Sequence, residues 1–300
     1  MNRWPAVVRV RRLGSFREFL FPSESPVGCG AEIGGLASDR ILDEMKTRHF
    51  VIPALAFCAV AALASVSVPV IKWKTGDRSR PLPAKVTPGA PSTQHRVGTA
   101  PSDAVVLFNG KDLSSWAGKN GGAAPWKVAD GYFEVAPGTG DIHTKQPFGD
   151  MQLHVEWASP NPPHGHDQEP GNSGIYLMSK FEIQVLESYY NKTYPDGQAA
   201  AIYCQYPPLV NACLPPGEWQ TYDIVLHGPR FASDGSLTRL ATVTVLHNGI
   251  LVQDHVSPTG PTDYMKRPPY KAHPDKMPLL LQDHGQPVRY RNIWIRELGN

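Results

Sequence analysis

The segment KFEIQVLES at positions 180–188 places two carboxylates and an amide among apolar residues. In a β-strand Glu182 and Gln184 share one face, because successive side chains point to opposite sides. Glu187 is at an odd offset from Glu182 and joins that face only if one β-bulge intervenes. Such a face is either a solvated sheet surface or the lining of a sugar-binding groove, in which the carboxylates can act as general acid and base or as metal ligands.

Four further residues are candidates for the same groove. His284 lies in the turn sequence DHG just before the last predicted strand, and a side chain there can reach a cleft. Arg289 and Arg291 share one face of that strand, and Asn172 lies in the tight-turn sequence GNSG. The alternatives are a surface histidine and a solvated strand edge. We expect Glu182, Gln184 and His284 to be catalytic, and Asn172, Glu187, Arg289 and Arg291 to bind substrate.

A divalent metal ion is a further possibility for this groove. Glu182 and His284 would supply a carboxylate and an imidazole, which form an ordinary ligand pair. Because these ligands come from distant segments, the sequence gives no local metal-binding signature. The expected cofactor is at most this one ion.

Short strands separated by turns must position these residues. MQLHVEW at 151–157 alternates apolar and polar side chains, as in a half-buried strand, and TYDIVLHG at 221–228 does the same. Asn248-Gly249 between two apolar runs is typical of a hairpin turn, in which both residues need positive φ. With 30 prolines, 27 glycines and no long helical period, the sequence predicts an all-β domain over 104–300, built as a two-sheet jelly-roll sandwich.

The region before this domain has the composition of a targeting signal followed by a linker. A basic start at Met45, an apolar run over 50–70 and the triplet ALA at 62–64 indicate a signal peptide at 45–70, with an uncleaved membrane anchor as the alternative. Residues 1–44 would then be an upstream extension. Residues 71–103 are rich in proline and polar residues and are predicted to be a disordered linker. The protein is expected to be exported to the periplasm or the extracellular space.

Cysteine usage and charge add two expectations. Cys204 and Cys213 are close in sequence, and in an exported protein they favour a disulfide, with two free thiols as the alternative. Residues 104–300 carry 15 basic and 19 acidic side chains, a net charge of −4. This balance argues against nucleic acid as a partner, since nucleic-acid binding needs a clustered basic face.

Eight motifs occur in order between Val106 and Leu298: LFNGKDLSSW, GNSGIYL, FEIQVLES, TYPDGQAAAIY, PPLVNA, GEWQTYDI, TVLHNG and PLLLQDHGQPVRYRNIWIREL. Together they resemble the 3-keto-disaccharide hydrolase family. The resemblance implies a concanavalin A-like sandwich, export and action on 3-keto-glycosides. Cys204 and Cys213 depart from the family pattern, which has small residues at these positions, and this bears on loop stability rather than on chemistry.

The chemistry of a 3-keto-glycoside defines what the site needs. A ketone at C3 acidifies the C2 hydrogen, so a base can remove it, the C1 substituent leaves by elimination, and water adds back. This requires a base near C2, an electrophile or metal ion at the C3 oxygen, and an acid or water for the leaving group. No glutamate nucleophile is needed, so Gln184 is compatible. The substrate would come from a sugar C3-oxidoreductase, a functional partner.

Two other functions fit the same sequence. One is a non-catalytic carbohydrate-binding sandwich, because a fold alone does not define a function. The other is a conventional glycoside hydrolase that uses Glu182 and Glu187, since FEIQVLE resembles the E-x-D-x-x-E strand of laminarinase-type enzymes. In that comparison Gln184 replaces the middle aspartate, and a neutral amide cannot share a proton with Glu182.

Overall fold

β-Strands provide the regular structure of residues 72–299, the part of the chain that the computed structural model describes, apart from one 3-10 turn at Pro195–Gly197. The strands are β1 Val105–Phe108, β2 Trp116–Gly118, β3 Lys127–Ala129, β4 Tyr132–Glu134, β5 Ile142–Phe148, β6 Met151–Ala158, β7 Ser173–Leu177, β8 Phe181–Val185, β9 Gln220–His227, β10 Arg230–Phe231, β11 Leu237–Arg239, β12 Thr242–His247, β13 Ile250–Val256, β14 Met277–Leu281 and β15 Arg289–Glu297.

These strands form two main antiparallel sheets. The larger sheet has eight strands in the order β13-β12-β9-β6-β15-β4-β3, and β1 also pairs with β15. The smaller sheet has five strands in the order β2-β5-β14-β7-β8, and β10 and β11 form a separate ribbon. The predicted all-β, two-sheet sandwich is therefore confirmed.

The hydrophobic core lies between the two sheets, because alternate side chains of each strand point into it. In β6, Leu153 and Val155 are fully buried, and in β8 Phe181, Ile183 and Val185 are fully buried. Each such side chain removed from water contributes about 1.5–3 kcal/mol. The polar side chains of β6 and β8 consequently point away from the core, toward opposite outer faces of the sandwich.

The hairpin predicted at Asn248-Gly249 is confirmed. It joins β12 to β13, with φ values of 52° and 78° at its two central residues. The Asn248 side chain also holds neighbouring segments, since its Oδ1 accepts from the backbone N–H of Thr221 at 2.8 Å and its Nδ2 donates to the carbonyl of Ala212 at 2.8 Å.

Part of the predicted disordered linker at 71–103 packs on the domain. Residues 87–102, here called the strap, contain no strand, but hydrogen bonds between Thr87 and Ser102 close their base. Gln94 bonds to both the N–H and the carbonyl of Trp219, at 2.7 and 2.9 Å, and Arg291 donates to the carbonyl of Thr93 at 2.6 Å. The composition of this segment predicted a free spacer. It could not reveal the order seen here, because the residues that hold the strap lie in distant parts of the sequence.

The predicted upstream extension at 1–44 and the predicted signal peptide or anchor at 45–70 lie outside the described residues. Between residues 72 and 299, no helix has the length and apolar character needed to cross a membrane.

Candidate active site

A polar groove of about 270 Å³ lies on the outer face of the five-stranded sheet. Its floor comes from β7 and β8, which pair so that Tyr176 is opposite Glu182 and Gly174 is opposite Gln184. These side chains reach the groove because the alternate residues of both strands fill the core. The lining residues are Asn172, Tyr176, Glu182, Gln184, Tyr203, Thr262, Asp263, Tyr264, Gln282 and His284.

Glu182 is the buried carboxylate of this groove, with only 3% of its surface exposed. Its Oε2 accepts a hydrogen bond from the Tyr176 hydroxyl at 2.8 Å. Burial raises the pKa of Glu182 to about 7; the hydrogen bond from Tyr176 lowers this pKa, and the negative charge of Asp141 raises it further. A carboxyl group with this pKa can both take up and release a proton near neutral pH.

Tyr176 and Gly174 fix the position of the Glu182 carboxylate. The Tyr176 hydroxyl donates to Glu182 and accepts from the Gln282 amide at 3.2 Å, so the ring cannot swing away without breaking two bonds. A Cβ atom on Gly174 would lie 2.4 Å from Glu182 Oε1 and 2.8 Å from Tyr176 Cε2. The absence of a side chain at this position therefore makes room for the carboxylate.

Gln184 and Asn172 line the groove as predicted, and both hold the loop that contains Gln168. The Gln184 amide donates to Gln168 Oε1 at 2.9 Å and accepts from the backbone N–H of Val185 at 3.1 Å. Asn172 donates to the carbonyl of Gln168 at 2.5 Å. The amide nitrogen and the amide oxygen of Gln184 therefore both have hydrogen-bond partners already. This arrangement suits a residue that holds the loop in place better than one that transfers a proton.

His284 lines the groove from the turn before β15, where its side chain is exposed. The turn is held by Asp283, whose carboxylate accepts from the N–H groups of Gly140 and Gly285 at 2.9 and 3.0 Å. The structure therefore brings Glu182 and His284 to one groove from segments 100 residues apart in the chain.

The residues present do not form a recognisable metal centre. Across residues 72–299, no group of three or more histidine, cysteine, aspartate or glutamate side chains is arranged to hold an ion. Glu182 and His284 would supply two ligands at most, and Oε2 of Glu182 already accepts from Tyr176. The metal site suggested by the sequence stays a prediction, and no step below depends on it.

Six lining residues were not found from the sequence: Tyr176, Tyr203, Thr262, Asp263, Tyr264 and Gln282. The sequence did contain a signal for Tyr176. It lies between the apolar residues Ile175 and Leu177 in β7, so its side chain must face away from the core. Thr262, Asp263 and Tyr264 belong to a long connection between β13 and β14 with no periodic pattern, so nothing in the sequence placed them near Glu182.

Glu187 does not line the groove, and its predicted substrate-binding role is not supported by its position. The strand ends at Val185, so the bulge that would return Glu187 to the Glu182 face does not form. The Glu187 carboxylate is buried and accepts from the backbone N–H groups of Tyr189 and Tyr190 at 2.8 and 3.1 Å. Glu187 therefore holds the turn that follows β8.

Arg289 and Arg291 also lie away from the groove, because β15 belongs to the larger sheet. Arg291 donates to Oε2 of Glu156 at 2.6 Å and packs over the ring of Trp219 at 4.2 Å. Arg289 lies over Trp219 and Tyr132 and donates to the carbonyl of Gly217. They share an outer face, as predicted, but it is the face opposite to that of Glu182, so their position does not support the predicted role in binding substrate in the groove.

The predicted Cys204–Cys213 disulfide is absent, and both residues are free thiols. They have different neighbours. The backbone N–H of Cys204 bonds to the carbonyl of Asp196 at 2.9 Å, and Arg267 donates to the Cys204 carbonyl. Burial raises the pKa of the Cys213 thiol to about 12, near the backbone of Ser188. The two thiols are therefore in different environments.

A buried carboxylate in a polar groove on one face of a β-sandwich is a suitable site for a small polar ligand such as a sugar. The model of the 3-keto-alpha-glucoside-1,2-lyase-like domain matches residues 103–296 of this chain. The chain therefore belongs to this family, and the recognition based on the eight motifs is confirmed.

The chain is also similar to solved structures. The chain is similar to a "putative glycosyl hydrolase" from Parabacteroides distasonis ATCC 8503, with 47% sequence identity, a TM-score of 0.71, and coverage of 75% of this chain and 95% of that chain. A second protein of the same description from that organism is 24% identical, with a TM-score of 0.47 over 66% of this chain and 94% of that chain. No curated protein matches the sequence.

Proposed function

We propose that the protein cleaves the glycosidic bond of 3-keto-glycosides by elimination across C1 and C2, followed by hydration. The observation that carries the proposal is Glu182, a carboxyl group buried in the groove with its pKa raised to about 7. Membership of a 3-keto-glucoside-lyase-like family supports the substrate class. The cavity of about 270 Å³ is slightly smaller than the roughly 300–1,000 Å³ found for drug-sized ligands, a size that suits a sugar ring.

In this mechanism the ionised Glu182 removes the proton from C2, which the neighbouring C3 ketone has made acidic. The C2–H electron pair forms the C1–C2 double bond while the bond from C1 to the leaving oxygen breaks. His284, exposed at the groove, donates a proton to that oxygen, so the leaving group departs as an alcohol. Water then adds across the double bond: His284 takes a proton from the water as its hydroxyl joins C1, and Glu182 returns a proton to C2. Both residues regain their starting protonation states, and the net reaction is hydrolysis.

The position of Glu187 makes the conventional glycosidase mechanism less suitable. That mechanism needs two carboxyl groups that face each other across the scissile bond. Glu187 uses its carboxylate on the backbone of Tyr189 and Tyr190, whereas Glu182 lines the groove. Elimination requires only one carboxylate, and the groove provides it.

The decisive assay compares purified protein on a plain disaccharide and on the same disaccharide oxidised at C3. We expect turnover of the oxidised sugar alone. Turnover of the plain sugar would favour the glycosidase, and saturable binding without turnover of either sugar would favour a carbohydrate-binding module. The elimination step itself is tested in deuterated water. The proton that Glu182 takes from C2 exchanges with solvent before C2 is protonated again, so the product should carry deuterium at C2.

The Gly174→Ala variant should lower kcat on the 3-keto sugar by about tenfold. The added methyl group would lie only 2.4 Å from Glu182 Oε1, which is too close for two non-bonded atoms, so it would displace the carboxylate. Gly122→Ala is the matched control, because a Cβ atom there meets nothing within 4 Å. Equal kcat values for the two variants would show that the carboxylate position is not critical.

The 3-keto substrate implies a supplying reaction and a location. We propose that an oxidoreductase acting at C3 of a sugar produces the substrate, because the ketone is not present in ordinary glycosides. We also propose export, on the basis of the basic and apolar segments at 45–70. N-terminal sequencing of the mature protein tests this location, and retention of residues 50–70 would indicate an anchor in place of a cleaved signal.

A further inference from the structure

The loop at 258–270, which joins β13 to β14, is closed tightly at its base. Gln205 accepts from the N–H of Thr259 at 2.8 Å and donates to the carbonyl of Gly260 at 3.0 Å. The Tyr270 hydroxyl donates to the carbonyl of Pro258 at 2.8 Å. A Cβ atom on Gly260 would lie 2.0 Å from the Pro268 carbonyl oxygen, so the two arms of the loop are in close contact there. These contacts hold the loop tip in a defined place.

The same loop is tied directly to the strand that carries Glu182. Thr262 Oγ1 accepts from the backbone N–H of Glu182 at 3.0 Å, and the N–H of Thr262 donates to the carbonyl of Lys180 at 2.9 Å. The position of the loop tip relative to the Glu182 backbone is therefore fixed by hydrogen bonds. Residues Asp263 and Tyr264 follow immediately and line the groove.

Tyr264 is 64% exposed although it lines the groove. Tyr203 lines the same groove, and its hydroxyl is held by that of Tyr194 at 2.7 Å. The groove thus combines polar groups around Glu182 with two further aromatic side chains, Tyr203 and, from the loop, Tyr264. An aromatic ring with an exposed face offers a stacking surface for the apolar face of a sugar.

We propose that Tyr264 and Asp263, at the tip of this loop, form the subsite that binds the leaving group and determines which leaving groups are accepted. The inference rests on the proposed function. The ring of Tyr264 would stack on the leaving sugar. Asp263 is about half exposed and its ion pair with Lys266 is long, at 3.9 Å, so its carboxylate is available to accept bonds from sugar hydroxyls. A phenyl leaving group could stack but would offer no hydroxyl groups.

The test uses three 3-keto-glucosides whose leaving groups are methanol, phenol and a second glucose. Tyr264→Ala should raise KM by about 5- to 20-fold for the phenyl and disaccharide substrates, and leave the methyl substrate within about twofold. Tyr264→Phe should retain normal KM values, because it keeps the ring. Asp263→Asn should raise KM for the disaccharide alone. Tyr190→Ala is the matched control, since Tyr190 is 72% exposed and does not line the groove.

The results of these assays test the subsite, the role of Asp263 and the proposed function separately. If Tyr264→Ala behaves like Tyr190→Ala on all three substrates, or weakens the methyl substrate equally, the subsite is wrong. If Asp263→Asn leaves KM for the disaccharide unaffected, the assignment of Asp263 to the subsite is wrong while the stacking role of Tyr264 stands. If the wild-type protein turns over none of the three, the proposed function fails; the subsite is then judged by calorimetry, where an unchanged Kd of Tyr264→Ala for the 3-keto-disaccharide would overturn it.

Discussion

Replacing Glu182 by glutamine should lower kcat on a 3-keto-disaccharide by about 10²-fold or more. The amide matches the carboxylate in size, and its oxygen can still accept the hydrogen bond that Tyr176 donates across 2.8 Å. What the variant lacks is the group that takes the proton from C2. Steady-state kinetics of the two proteins under identical conditions measures the effect.

The pH dependence of the reaction tests whether Glu182 is the base. Only the ionised carboxylate can accept the C2 proton, and the pKa of Glu182 is about 7. The acidic limb of the kcat/KM profile of the wild-type protein should therefore rise with pH, with its midpoint near pH 7. The residual activity of Glu182→Gln should show no inflection in this range, because an amide does not titrate there.

The raised pKa of Glu182 also predicts how the stability of Glu182→Gln compares with that of the wild-type protein. The folded protein holds the Glu182 proton more tightly than the unfolded chain, since its pKa is raised from 4.5 to about 7. Ionisation therefore destabilises the folded state progressively as pH rises from about 4.5 to about 7. Glu182→Gln escapes this effect, so at pH 8 it should be at least as stable as the wild type. A stable variant with near-normal turnover would exclude Glu182 from the chemistry.

Alternation along single strands was enough to predict which side chains of β6, β8 and β9 fill the core. The two-residue period of a strand depends only on local geometry, and apolar residues report it directly. For the same reason Glu182 and Gln184 could be assigned to one outward face from sequence. His284 and Asn172 were found because turn sequences next to a strand often reach the edge of a sheet.

The alternation of apolar and polar residues along a strand does not show which sheet that strand joins. Arg289 and Arg291 do share an outward face, but β15 pairs with β6 and β4 in the larger sheet, and their face is opposite the groove. Strand pairing depends on contacts between residues far apart in the chain, which a local pattern does not contain. Tyr176 illustrates the same limit, because only its register opposite Glu182 shows that the two side chains meet.

Arg291 has a structural role on this opposite face, since it neutralises a carboxylate that is completely buried. Glu156 has no exposed surface. Burial would raise its pKa, but hydrogen bonds from His154, Ser92 and Asn292 and the charge of Arg291 lower it to about 2. Glu156 is therefore ionised at neutral pH and depends on these partners, one of which belongs to the strap.

Arg291→Met should lower the free energy of unfolding by about 3 kcal/mol, because it removes the ion pair and leaves the buried carboxylate without one of its two counter-charges, Arg291 and His154. Arg289→Met is the matched control. Arg289 lies two residues away over the same Trp219 ring, but it bonds only to a backbone carbonyl, so its loss should cost less than about 1 kcal/mol. Denaturant unfolding of the three proteins measures the difference.

A second substitution separates the buried charge from the loss of packing. Glu156→Gln combined with Arg291→Met leaves no unpaired charge, and this double variant should recover part of the stability lost in Arg291→Met. In all these variants KM for the 3-keto sugar should stay unchanged, because Arg291 and Glu156 lie on the face opposite Glu182. An Arg291→Met protein with normal stability and a raised KM would instead return Arg291 to the substrate site, and the separation of the two faces would have to be abandoned.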